Sequence, residues 1–170
     1  MIRLCFHGAE STGKSVLIEK LGREFGLSWV PEYGRAYAQA HGTEFTMDDL
    51  LAMAEGQDVA MREAAASKPA LLLLDTDPLM TAAWAQMLFG HVPEVLLGYE
   101  KAEHYLLFEP DVDWVDDGTR MFGTPALRAQ FAAIAEAKLA QAQVHYHRVS
   151  GNWAERDRIV RQFICRFKSA

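Results

Sequence analysis

Eight consecutive residues constrain this chain more than any other feature. Gly8-Ala9-Glu10-Ser11-Thr12-Gly13-Lys14-Ser15 has the form G-x-x-x-x-G-K-S, between an apolar run, Ile2 to Phe6, and an amphipathic run, Val16 to Phe25. A strand, a glycine loop and a helix start form the context in which this pattern cradles phosphate. Gly8 and Gly13 let the backbone curl so that successive N–H groups face one anion. The helix dipole adds partial positive charge at the same point. Lys14 is suited to reach the outer phosphates of a nucleoside triphosphate, and the Ser15 hydroxyl to bind Mg²⁺. The expected nucleotide-binding set is Gly8, Glu10, Ser11, Thr12, Gly13, Lys14, Ser15 and Val16. A glycine turn that merely contains Lys-Ser is the plainer alternative, and the flanking runs argue against it.

Around this loop, apolar runs alternate with helical patterns, which reads as α/β with a largely parallel sheet. Strands are predicted at Arg3–Phe6, Ser28–Pro31, Ala70–Asp75, Tyr105–Phe108 and Val144–Val149. Helices are predicted at Lys14–Glu24, Tyr33–Ala40, from the Thr46 cap to about Ser67, Leu79–Phe89, from Thr124-Pro125 to about Gln141, and after Asn152. The last carries Ile159, Val160, Phe163, Ile164 and Phe167 as a buried stripe at helical spacing. The 170 residues favour a single domain. With 17 basic against 23 acidic residues and no basic stripe, a nucleic-acid partner is disfavoured. Cys5 and Cys165 give neither metal-site spacing nor a disulfide framework, so the expected location is cytoplasmic. No signal peptide is expected before the first strand. No apolar run is long enough to span a membrane.

Four further segments carry candidate chemistry. Asp75 ends an apolar strand some 60 residues past the loop, where an acid that helps hold Mg²⁺ is expected. Asp77 reads equally as the N-cap of the next helix and as a substrate ligand. Glu32 and Arg35 follow the second strand, at the end of the sheet that lines a ligand crevice. Glu32 would accept a proton from an attacking hydroxyl, and Arg35 would contact transferring phosphate; the alternative is a solvated pair at a helix start. Residues 114–120, Trp-Val-Asp-Asp-Gly-Thr-Arg, suit a lid over nucleotide. Within the lid and just beyond it, Arg120 and Arg128 are cationic candidates. Asn152 and Trp153 follow the last strand and are expected near adenine, although helix capping explains Asn152 as well. Trp84 is a candidate for stacking on an aromatic ligand.

In this order the segments resemble the ribosylnicotinamide kinase domain of the bacterial NAD-biosynthesis regulators, within the P-loop kinase superfamily. The most specific parts are Glu32-Tyr33-Gly34-Arg35-Ala36-Tyr37, Asp75-Thr76-Asp77 and Trp114-Val115-Asp116-Asp117-Gly118-Thr119-Arg120. The resemblance covers nearly the whole chain and is expected to be that of a stand-alone domain. It implies a three-layer fold whose five-stranded parallel sheet has the order 2-3-1-4-5, with a lid at about 111–128. It also implies ATP and Mg²⁺ as cofactors, and transfer of the γ-phosphate to the ribose 5′-hydroxyl of nicotinamide riboside. Lys14, Glu32, Asp75 and Arg120 would be catalytic, with Ser15 and Asp75 at the metal. Arg120, Asn152 and Trp153 would complete the nucleotide site. Glu32, Arg35, Asp77, Trp84 and Asp117 would meet the acceptor. Another nucleoside or metabolite as acceptor, or a non-transferring ATP sensor, is the alternative reading.

Overall fold

The structure, a computed structural model, describes residues 1–168. The first strand, β1 (Ile2–Gly8), runs into the glycine loop and then into α1 (Lys14–Phe25). Next come β2 (Ser28–Val30), α2 (Tyr33–His41), α3 (Met47–Ala66) and β3 (Leu71–Asp75). They are followed by α4 (Pro78–Phe89), α5 (Glu94–Gly98) and β4 (His104–Phe108). The chain ends with α6 (Pro125–Gln141), β5 (Tyr146–Val149) and α7 (Trp153–Lys168).

All strand pairs are parallel, in the order β2-β3-β1-β4-β5. The period of two sorts the side chains onto two faces. Leu4 and Phe6 of β1, Leu71 and Leu73 of β3, and Leu106 and Phe108 of β4 pack against α1 and α7. Cys5, Leu72, Leu74, Tyr105 and Leu107 pack on the opposite side with Met61, Leu79 and Leu139 of α3, α4 and α6. Leu71 to Leu74 are essentially inaccessible, as their uninterrupted apolar run predicts for a strand covered on both faces. β1 lies between β3 and β4, so its C-terminal end opens where the strand order reverses, at the crevice of such sheets.

Local signals set most boundaries. Thr46 and Asp49 form a reciprocal capping box at the start of α3. Asp77 caps α4, with Pro78 at the first helical position. The sequence reading differs from the structure by a residue or two at several boundaries and more substantially in two places. No element is expected at α5, which has only five residues between Pro93 and Tyr99, too few for a helical period to show. β5 begins at Tyr146 rather than Val144, because the Val144 N–H donates to Leu139 O and closes the end of α6. No helix among the described residues is long and apolar enough to cross a membrane.

Candidate active site

At the C-terminal edge of the sheet lies a cavity of about 990 Å³, which runs from the glycine loop to α3 and α4. One end of it is the glycine loop. Gly8 has φ +124°, and a Cβ there would sit 2.5 Å from the Phe108 carbonyl oxygen. Only glycine lets β1 pass so close to β4 before turning. Gly13 caps α1 in the left-handed region, and the Trp153 ring fills the place a Cβ would take. Lys14 is buried and folds back over the loop, its Nζ donating to Gly8 O at 2.9 Å and Ala9 O at 2.6 Å. Burial lowers its pKa, and the carboxylates of Glu32, Asp75 and Glu10 oppose that shift. The first turn of α1, Lys14 to Val16, adds the free N–H groups of a helix start.

Two carboxyl groups face this lysine from the ends of β2 and β3. Both are pushed upward: Glu32 first by burial and then by the Asp75 carboxylate, Asp75 by burial, with the Ser15 hydroxyl donating to it in the opposite sense. Asp75 Oδ1 is buried without a hydrogen-bond partner among the described residues. A hydroxyl beside a carboxylate with an unmet oxygen fits Mg²⁺, whose remaining places go to phosphate oxygens and water. Among the described residues no group of three His, Cys, Asp or Glu converges into an all-protein metal cage. Immediately after Asp75, Thr76 is buried at φ +72°, a strained conformation for a β-branched residue. Its N–H donates to Phe6 O and holds the end of β3 against β1.

The segment between β4 and α6 is tied to the loop by the loop's own variable residues. The Ser11 hydroxyl accepts from Val115 N–H at 2.8 Å and from Arg120 at 3.2 Å. The Glu10 carboxylate accepts from the N–H groups of Met121 and Phe122, the latter at 3.0 Å. Asp117 Oδ2 lies 2.6 Å from Arg35 and 3.2 Å from Arg120, so one carboxylate joins two guanidinium groups from opposite walls. Burial works against its ionised form, but hydrogen bonds from Arg35 and Thr119 hold its pKa down to about 2. Arg35 also lies 3.7 Å from Glu32. Arg128 turns away from the cavity and donates to Val112 O at 2.8 Å.

The structure thus brings the eight loop residues to one cavity together with Glu32, Arg35, Asp75, Trp84 and Arg120. Asp117 is not on the cavity wall but pairs with Arg35 and Arg120, which are. Three other candidates lie off the cavity wall. Asp77 is fully buried, one oxygen capping Leu79 N–H and the other accepting from the Tyr105 hydroxyl, so its carboxylate serves the helix rather than a ligand. Asn152 caps α7, accepting from the N–H groups of Ala154 and Glu155 at 3.0 Å each. Trp153 packs on the outer side of the loop at Gly13. Trp84 is also part of an aromatic cluster, stacked on Phe122 at 4.9 Å and beside Phe131 at 5.0 Å.

Two residues the sequence reading passed over are central. Arg156 is wholly buried and donates to Thr12 O at 3.2 Å, Gly151 O at 2.8 Å and Glu109 O at 2.9 Å, and also to Asp111. Gln57 lines the cavity from α3 and accepts from Tyr33 N–H. A polar side chain inside an otherwise apolar helical face is the signal that would have flagged either residue.

A family model described as an AAA domain matches residues 3–156. The chain is 29% identical over 151 residues to the trifunctional NAD biosynthesis/regulator protein NadR of Escherichia coli (strain K12), covering 84% of this chain. It is 28% identical over 148 residues to the protein of the same name from Salmonella typhimurium. It spans only 36% of the length of each of these two relatives. Among solved structures, a NadR protein in complex with NR superposes with a TM-score of 0.82 at 22% identity, over 99% of this chain and 52% of that one. Deoxyadenosine kinase from M. mycoides superposes with a TM-score of 0.66 at 8% identity, covering 96% of this chain and 99% of that one. These similarities show that the fold is that of the P-loop kinases.

Proposed function

The chain belongs to the AAA domain family, and on that premise we propose that it is an ATP- and Mg²⁺-dependent kinase acting on nicotinamide riboside. The observation that carries this reading is the meeting of the phosphate loop with Glu32, Asp75, Arg35 and Arg120 in one cavity. The similarity to the NadR proteins, which are named for NAD biosynthesis, supports the acceptor. A NadR structure in complex with NR supports it further.

On this reading the loop N–H groups and Lys14 bind the β- and γ-phosphates, Lys14 exchanging the Gly8 and Ala9 carbonyls for phosphate oxygens. Ser15 and Asp75 hold Mg²⁺, which when bound neutralises charge on those phosphates. The ribose 5′-oxygen forms a bond to the γ-phosphorus and gives its proton to Glu32. The bond from that phosphorus to the bridging oxygen breaks, and ADP leaves with the electron pair. Arg35 and Arg120 face the charge on the group in flight once phosphate displaces Asp117 from between them. Segment 111–128 acts as the lid, held over the loop by Ser11 and Glu10. Trp84 forms one wall of the acceptor end, and the reaction takes place in the cytoplasm.

Purified protein incubated with ATP, Mg²⁺ and nicotinamide riboside is expected to yield nicotinamide mononucleotide and ADP in equal amounts. Folded protein that forms none at substantial enzyme concentration overturns the proposal.

A further inference from the structure

Gln57 lies on α3 at the acceptor end of the cavity and is only 3% exposed. Its Oε1 accepts from the Tyr33 N–H at 2.8 Å. That bond settles which way the amide faces, with oxygen toward the start of α2 and the NH₂ group left as a donor. Nε2 is buried and meets no acceptor among the described residues. The side chain is not free to swing out and find one. α2 and α3 touch closely here, the Tyr33 ring lying where a Cβ on Gly56 would come within 2.4 Å of it. Phe45, Leu50, Met53 and Trp84, which also line the cavity, have side chains that carry no hydrogen-bond acceptor for it. A buried donor without an acceptor is worth about one to two decades in a binding constant to a ligand that supplies one.

We infer that the Gln57 NH₂ group selects the acceptor by donating to a carbonyl oxygen on the ring that the ribose carries. This rests on the kinase reading above, since the carboxamide of nicotinamide is such a group. Tyr33 directly follows Glu32, so the side chain that reads the ring also anchors the backbone beside the proposed base.

The test is calorimetric titration of the full chain at pH 8 with two ligands, nicotinamide riboside and the riboside of unsubstituted pyridine. They share the ribose and the cationic ring and differ in the carboxamide. The wild-type protein is expected to bind the carboxamide ligand about tenfold to a hundredfold more tightly. Gln57→Glu keeps an oxygen for the Tyr33 N–H and removes the donor, so the preference is expected to fall within about twofold. Equal affinity for the two ligands in the wild type, binding of neither, or an undiminished preference in folded Gln57→Glu each overturns the inference. If the variant does not fold, the wild-type comparison decides alone. Selective binding without product formation sinks the kinase reading and leaves Gln57 its role. Phosphorylation of both ribosides with equal affinity does the reverse.

Discussion

The two ends of the cavity are made of different material. The donor end is backbone: a loop shaped by Gly8 and Gly13, with Lys14 resting on its carbonyls. The acceptor end is side chain: Glu32, Arg35, Gln57 and Trp84 arrive from α3, α4 and the junction of β2 with α2. Arg35 Nε and Gln57 Nε2 are buried there without a hydrogen-bond partner among the described residues. A backbone cradle recognises any triphosphate, because every chain has N–H groups to offer. A side-chain wall can be rebuilt residue by residue without disturbing the cradle, and its open donors and acceptors are where choice of substrate resides.

The sharpest way to break this division is Glu32→Gln. Turnover is expected to fall about 10³-fold with ATP affinity unchanged, read by steady-state kinetics beside calorimetry. Lost ATP affinity would show that the two ends are not separate. Full turnover would mean that Glu32 takes no proton, and intact signalling by the variant would favour a sensor. Gly8→Ala attacks the other end. Its Cβ meets a backbone oxygen that cannot yield, at a φ that side chains avoid, so urea unfolding is expected to show a loss of about 3 kcal/mol.

A smaller effect comes from pH. Burial and the neighbouring Asp75 push Glu32 up to about 7. A base works only when deprotonated, so kcat/KM is expected to fall about tenfold from pH 8 to pH 6. Glu32→Gln is expected to flatten that profile. The least effect is expected from Asp117→Asn. Its carboxylate competes with phosphate for Arg35 and Arg120, so calorimetry is expected to show ATP binding about twofold to fivefold tighter. Weaker binding would instead place Asp117 on the ligand's side.

The same division explains what could be read from the sequence. The loop, the capping boxes and the apolar run before Asp75 are local, and each was legible where it stood. The strand order came through resemblance, because no periodicity states which strands are neighbours. Asp77 looked alike as cap and as ligand; only the Tyr105 hydroxyl, 28 residues away, takes its second oxygen. Gln57 and Arg156 show in the sequence only as polar residues on apolar helical faces; what they hold was not legible, because Tyr33 and Thr12 are distant in sequence.

Arg156 has a consequence for the order in which the molecule is made. Its bond to Thr12 O spans 144 residues. A ribosome releases the whole phosphate loop early, yet the carbonyl of Thr12 finds its donor only when α7 docks on the sheet. The loop is therefore made before α7 and receives its bond at Thr12 only after it. A nascent chain lacking the 16 residues of α7 carries every letter of the motif but not the donor that holds the Thr12 carbonyl.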